Sequence, residues 1–354
     1  FDYYVPKQEI INQLPFYYGK LFSGQSGIGD DFWVGMQEEI ARADIAIKRY
    51  QNGQAGCLII SGERNSGKTS LSKFIARKYF STDAIFNIRS PRECIADVSL
   101  WEESLLKPLN SAHPDLGNAL SDLTRPVVFI INDLELWWER RNMGADVVER
   151  LLQLTRKYHG KVLFIININT HSFKLINKLT GLQSWSLGTI YCSGFDAKEL
   201  HDLIMLRHQA GGMSFYYGNK AEEEMSSWNY ARLFNRFFDI CDGNPGLSIA
   251  LWLASIEKVN GKVLTLKKPP LEKADFLDKL NKDQIFILLQ FIYHLRMSVR
   301  KLAQTIQTEE GELENQILNL WQSGILIEKF TGIYAINPAL QLPLVKKLQN
   351  MKLI

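Results

Sequence analysis

Gly62-Glu63-Arg64-Asn65-Ser66-Gly67-Lys68-Thr69 fits the pattern G-x-x-x-x-G-K-[ST]. Before it lies a short apolar run, Cys57-Leu58-Ile59-Ile60, suited to a buried strand. After it, Leu71, Phe74, Ile75 and Tyr79 recur at helical spacing. Strand, glycine loop and helix form the setting that a phosphate-binding loop requires. Glycines let the backbone curl so that its N–H groups point at phosphate oxygens, and the helix N-terminus adds positive potential. In this reading Gly62 to Ser70 hold a nucleoside triphosphate. Lys68 reaches the outer phosphates, and the Thr69 hydroxyl serves a magnesium ion.

The surrounding chain predicts a parallel sheet covered by helices. A second strand is expected over about Ala84 to Ile88. Val127-Val128-Phe129-Ile130-Ile131 reads as a fully buried strand ending in Asn132-Asp133-Leu134-Glu135. Acids at such a tip suit magnesium and water activation beside a phosphate loop, because ligands bind at the carboxyl ends of parallel strands. Asp133 is the first candidate for the metal shell or for activating water, and Glu135 the second; neutral Asn132 is a poor ligand. Val162-Leu163-Phe164-Ile165-Ile166 reads as a further strand, followed by Asn167-Ile168-Asn169-Thr170-His171. There Asn169, or failing it Asn167, is placed to orient water at the last phosphate, and His171 is read as structural. A fifth strand is expected over Leu187 to Cys192. Between these strands, Trp137-Trp138 cannot both face one core on a regular element; an exposed ring marking a partner surface is one reading, and packing under a loop is the preferred one. Val147 to Leu152 predicts a helix closing near Gly160.

Composition bounds the class. The chain has 354 residues, 46% apolar content and a net charge of +3, enough for two or three domains and without a polyanion footprint. Four scattered cysteines show no metal-ligand spacing and are read as reduced, which suits the cytosol. No apolar run approaches the roughly 18 residues of a membrane span. The chain begins at Phe1, which suggests the cytoplasmic part of something longer, conceivably membrane-attached.

The flanking segments complete the organisation. Residues 1–50 form an aromatic-rich linker and entry helix. Ile28 to Val34 are candidates for packing on an adenine ring. Residues 51–194 carry the phosphate loop. From Asp196 the periods are helical, with capping-box spacing at Asp196 and Glu199, and 195–266 are expected to be a helical domain. Within it Gly211 to Ser227 reads as a polar insertion, and Gly243-Asn244-Pro245 precedes a helix that Pro245 starts, unless Pro245 presses on the base. Lys267-Lys268-Pro269-Pro270 reads as a linker. Residues 267–354 follow the helix–helix–helix–hairpin order of a winged helix, whose third helix buries Leu313, Ile317, Leu320 and Trp321.

The order of these motifs resembles the AAA+ and STAND P-loop ATPases over about residues 28–354, including the archaeal origin-recognition and NB-ARC types. Val34-Gly35-Met36-Gln37-Glu38-Glu39-Ile40 is similar to their entry motif, Gly62 to Thr69 to Walker A, Asn132-Asp133 to Walker B, and Asn169 to sensor 1. Gly243-Asn244-Pro245 resembles the G-x-P lid motif of the STAND branch, whose proline packs on adenine. The resemblance implies ATP or ADP with Mg2+ and a lid that moves with nucleotide state. The chain departs from the pattern at Met36, at Asn132, at Gly246 (where a sensor arginine often sits), and in residues 170–186, which contain no Arg. Arg140, Arg141 and Arg207 are the substitutes considered. A nucleotide-dependent switch of slow turnover, working with a protein partner or by self-assembly, is the leading expectation. A DNA-binding initiator or transposition-type regulator is possible but not favoured, because the expected recognition helix carries Glu309, Glu310, Glu312 and Glu314 and no Lys or Arg. A non-hydrolysing, nucleotide-stabilised scaffold is the third.

Overall fold

A computed structural model describes residues 5–23, 29–269 and 275–354. Ile28 lies outside the described residues. Contacts divide the chain into two units. The larger comprises residues 37–64, 68–192 and 275–354; the smaller comprises 1–36, 65–67 and 193–274.

The larger unit is built on five parallel strands, β1 (Cys57–Ser61), β2 (Ile85–Ile88), β3 (Val127–Ile131), β4 (Val162–Ile168) and β5 (Ser186–Tyr191), in the order β2-β3-β4-β1-β5. The central strands β1, β3 and β4 are buried along their whole length. Their unbroken apolar runs follow from that position, since helices cover both faces of a parallel sheet. The register Leu58↔Ile165 and Ile130↔Ile165 brings the C-terminal ends of β1, β3 and β4 to one edge. Phe129 stacks on Phe164 at 5.7 Å in the core. The helix Lys68–Tyr79 follows the phosphate loop and buries Leu71, Ser72, Ile75 and Ala76.

The same unit holds the winged helix. Helices Lys282–His294, Val299–Ile306 and Glu310–Gln322 precede the wing, and Pro338–Asn350 closes the chain.

Trp137 and Trp138 are both buried, at 4% and 1% exposure, which agrees with the packed reading and excludes an exposed ring. They do not share a regular element: the short 3-10 turn Leu134–Trp137 ends there and Trp138 is extended, so the two rings leave the backbone differently. The helix expected to close at Gly160 ends at Lys157 with Tyr158 as its cap. Trp321 is 42% exposed, while Leu313, Ile317 and Leu320 alone form the buried face of their helix.

The smaller unit carries the helical lid, with helices Ala197–Ala210, Ser227–Cys241 and Pro245–Ala254. The Asp196–Glu199 capping box is formed, and Asn244 caps the helix that Pro245 starts. The lid is not purely helical, however. Strands β6 (Ser214–Tyr217), β7 (Lys220–Ala221), β8 (Ile256–Asn260) and β9 (Val263–Leu266) make a four-stranded sheet in the order β7-β6-β9-β8. The segment expected as a polar insertion is thus a hairpin that buries Met213 and Phe215. The N-terminal helix Phe16–Phe22 packs here: Tyr18 stands 2.9 Å from His208 Nδ1 and accepts from Trp252 Nε1 at 2.8 Å.

In the larger unit the wing is three-stranded. β10 (Arg296–Ser298), unforeseen in the sequence, pairs antiparallel with β12 (Ile333–Ile336), which also pairs with β11 (Leu326–Phe330). All four cysteines are free, and Cys57, Cys94 and Cys241 are buried. No helix among the described residues is long and apolar enough to cross a membrane.

Candidate nucleotide site

The loop Gly62–Gly67 leaves β1 and runs into the helix Lys68–Tyr79. Its conformation alternates in hand: Asn65 has φ +63° and Gly67 φ +91°. Left-handed residues interleaved with ordinary ones turn successive N–H groups inward and make an anion nest. Lys68 Nζ donates to Gly62 O at 2.8 Å and Glu63 O at 2.7 Å, which curls the lysine back over the loop and leaves its third N–H for another acceptor. The Ser66 hydroxyl is buried without a hydrogen-bond partner. A buried, unpartnered hydroxyl is costly unless a ligand meets it. The loop therefore fits a polyphosphate.

Within the smaller unit the loop tip is closely held. A Cβ on Gly67 would lie 2.8 Å from Met36 Cε. The Gly246 N–H donates to Asn65 O at 3.1 Å, and a Cβ on Gly246 would lie 2.7 Å from Asn65 Cβ. Gly246 thus sits too close to the loop backbone to carry any side chain. Val34 is half-buried, and Pro245 is buried at the start of its helix.

At the C-terminal ends of β3 and β4, the Thr69 hydroxyl donates to Asn132 Oδ1 at 3.1 Å. Asn167 Nδ2 donates to the same oxygen and to Ser72 Oγ, each at 2.9 Å. Asn132, not Asp133, is therefore the residue that meets Thr69. Asp133 takes a left-handed conformation (φ +50°, ψ +57°), and its carboxylate accepts from Ser90 Oγ at 2.9 Å. Of the two asparagines proposed to orient water, Asn167 joins the Thr69 corner. Asn169 caps the helix Thr170–Thr180, accepting from His171 N at 2.9 Å, and its Nδ2 donates to Glu63 Oε2 at 3.4 Å. Both are buried, so neither lies on a solvent-facing turn.

The charges are unevenly distributed. Burial, aided by the nearby Asp133 charge and opposed by Lys68, pushes the Glu135 carboxyl up to about 7. Burial works to raise Glu63 too. The His171 ring, 3.1 Å from Glu63 Oε1, with Lys68 and Asn169, outweighs it and holds this carboxyl below its ordinary range. His171 is thus buried beside the phosphate loop, a position consistent with a structural role.

None of the arginines singled out as substitutes points to the site. Arg140 and Arg141 are exposed, Arg141 pairing with Glu139. Arg207 donates to Leu203 O on its own helix, with its pKa pushed down to about 10 by burial. Two guanidiniums absent from those substitutes are held by backbone carbonyls nearby: Arg64, on the loop, donates to Ile336 O at 3.5 Å, and Arg296, on β10, to Arg92 O and Pro91 O. Burial lowers the pKa of each, while Asp133 acts to raise both. The motif spacing selected the first but not the second, because only the β10–β12 pairing brings Arg296 here.

No family model and no curated protein matches this sequence. Solved structures do. The Aeropyrum pernix ORC2 protein in its ADP form is 13% identical, with 94% of this chain and 97% of that one covered and a TM-score of 0.50. Cdc6p from Pyrobaculum aerophilum is 14% identical over 95% and 98%, at 0.44. The RuvB Holliday junction branch migration motor of Thermotoga maritima is 15% identical over 90% and 95%, at 0.39. At these identities the likeness is one of fold, and the ORC2 match carries it. With the strand order β2-β3-β4-β1-β5, the loop after β1, a helical lid and a winged helix, the chain has the fold of the AAA+ P-loop ATPases.

Proposed function

We propose that this chain binds ATP at Gly62 to Ser70 and works as a nucleotide-dependent switch with slow turnover, controlling assembly with a protein partner or with further copies of itself. The observation that carries the reading is the Thr69–Asn132 hydrogen bond. It puts a neutral carboxamide where a carboxylate would best hold a hard cation beside the phosphates. Thr69, Asn132 and Asp133 would hold magnesium, whose chemistry is to neutralise charge on the outer phosphate oxygens. With one carboxylate in that set, and that one tied to Ser90, less charge stabilisation is available for phosphoryl transfer. Glu135, half-protonated near neutrality by its burial, suits the role of base, with Asn167 and Asn169 as the polar groups beside the attacking water. Ile28, Val34 and Pro245 would contact the base. Residues 51–194 would form the nucleotide domain, 195–266 the lid that responds to nucleotide, and 267–354 the winged helix that conveys the state.

The test is ATP turnover by the chain and by Asn132→Asp. We expect bound ATP to outlast many seconds in the wild type, and the variant to release phosphate about tenfold faster at equal magnesium. Turnover in the wild type that is fast and unchanged by the substitution would refute the switch reading.

A role on DNA is the weaker reading. The helix Glu310–Gln322 exposes Glu310, Glu312 and Glu314. Two cations on or beside the second helix of the winged helix are engaged within the protein, Lys301 with Glu139 and Arg296 with backbone carbonyls. A salt-dependent gel shift would revive it.

A further inference from the structure

The lid unit carries a groove that the nucleotide site does not use. It encloses about 500 Å³, and Tyr217, Trp228, Arg232, Arg236, Asp239 and Lys268 line most of it. Its long wall is one face of the helix Ser227–Cys241. There Trp228, Arg232, Arg236 and Asp239 recur every three or four residues and so share a stripe. The facing wall is the carboxyl end of the lid sheet. Tyr217 is the last residue of β6, and Lys268 follows β9, the parallel neighbour of β6. Arg236 Nε donates to Pro269 O, which ties the helix to the chain leaving β9 and holds the two walls together. All of these residues belong to the same unit.

This lining is not that of an ordinary solvated face. Trp228 is 65% exposed, and the Arg232 guanidinium lies over its ring at 5.4 Å. Neither Arg232 nor Lys268 forms an ion pair among the described residues. Three cations and one carboxylate share a concave surface, which focuses positive potential and selects an anionic occupant. Two kinds of polyanion compete for it, a single strand of nucleic acid and an acidic peptide. A nucleic acid strand needs an open aromatic face on which a base can stack, and Arg232 already lies over the Trp228 ring. An acidic peptide needs guanidiniums for its carboxylates and an aromatic edge for an apolar side chain, and Trp, Tyr and Arg are the residue types that carry most of the energy at protein interfaces. The Asn235 carboxamide, also in the groove, offers a donor and an acceptor to a peptide backbone. From Trp228 to Asp239 the helix runs about 16 Å, the length of about five extended residues.

We propose that this groove docks an extended acidic segment of a protein partner, with carboxylates on Arg232 and Lys268 and an apolar side chain against the edge of Trp228. Arg236, fixed by the Pro269 carbonyl, sets the width of the groove. The proposal gives a chemistry to the partner in the assembly reading above, and only that link rests on the reading. The groove itself is independent of nucleotide binding.

The test is fluorescence anisotropy on the full chain without nucleotide, using labelled probes of equal length: an octapeptide of Glu alternating with Leu and Ala, the same peptide with Gln for every Glu, and an oligothymidylate. The acidic peptide should bind with a Kd of about 10–100 µM, weakening with added salt, and the Gln peptide at least about tenfold less tightly. Arg232→Gln should weaken the acidic peptide about threefold, as a solvent-screened ion pair would. Arg232→Glu combined with Lys268→Glu should weaken it at least about tenfold, because like charges then face each other across the contact. Trp228→Ala should cost at least about threefold. Trp228, Arg232 and Lys268 are exposed, so these variants should keep the wild-type thermal transition. Equal binding of the Glu and Gln peptides would overturn the proposal, as would no binding of the acidic peptide at about 1 mM or binding that survives the double charge reversal. Oligothymidylate that binds more tightly than the acidic peptide and is lost in the same double variant would also overturn it, for the groove would then serve nucleic acid. A wild type that binds the acidic peptide but no ATP would refute the nucleotide reading and leave the groove assignment standing.

Discussion

His294 ends the first helix of the winged helix with no exposure, its ring stacked on Trp138 at 4.7 Å and 13°. Neither ring nitrogen has a well-formed hydrogen bond, although the Trp138 backbone is near. Burial therefore drives its pKa from the ordinary 6.5 down to about 3, with a smaller push in the same direction from Arg140. The native state keeps the ring neutral, whereas the unfolded chain protonates it as the pH falls below 6.5. Stability from this residue is complete above the unfolded pKa and is lost progressively as the pH falls toward the folded one. Between about pH 7 and pH 5 the loss is about 2 kcal/mol, because the unfolded state takes up nearly one proton that the native state refuses. His294→Phe keeps the stack on Trp138 and removes the titration. Urea unfolding of both proteins at the two pH values isolates the effect, since other titrating groups cancel in the difference. The wild type should lose about 2 kcal/mol more than the variant on acidification. An equal loss in both would refute the assignment of this sensitivity to a buried neutral imidazole.

Other consequences follow from single contacts. Gly246→Ala puts a Cβ against the backbone of Asn65, so it should cost about 1–3 kcal/mol by thermal unfolding and weaken nucleotide binding with it. Glu139 is buried and accepts from both Lys301 and Arg141. Glu139→Leu alone should destabilise by about 3 kcal/mol, because Lys301 is left charged and half-enclosed. The double change Glu139→Leu with Lys301→Met should cost less than either single change in denaturant titrations. If the single change at Glu139 is silent, the ion pair does not hold the winged helix to the sheet unit.

What the sequence announces is what local chemistry decides. Three strands buried on both faces must be continuous apolar runs, and β1, β3 and β4 are. A nest of N–H groups needs glycine at a left-handed position, and Gly67 supplies it. Caps such as Asp196–Glu199 and Asn244 also lie within a few residues of their targets. The lid sheet was harder to see, because β6 and β7 are short and only part-buried, and β6 joins the rest of the sheet by pairing at long range with β9. Its turns were nonetheless marked by Gly218-Asn219 and Gly261-Lys262, two-residue loops whose glycines take positive φ. The site divides the same way. Lys68 and Thr69 are legible from spacing, but the choice between Asn132 and Asp133 as partner of Thr69 depends on a left-handed turn at Asp133. Arg296 depends on a strand pairing across some forty residues. A lone arginine between a helix and a helix gives no local sign of the Pro91 and Arg92 carbonyls that it meets.

The account stands most directly on nucleotide binding at the loop. Equilibrium binding of ATP, measured with magnesium for the wild type and for Lys68→Ala, is the decisive measurement. Lys68 already lies over Gly62 and Glu63 with one donor left, so its removal should weaken ATP binding by about 100-fold or more while the fold survives. A folded Lys68→Ala protein that binds ATP as tightly as the wild type would contradict the account.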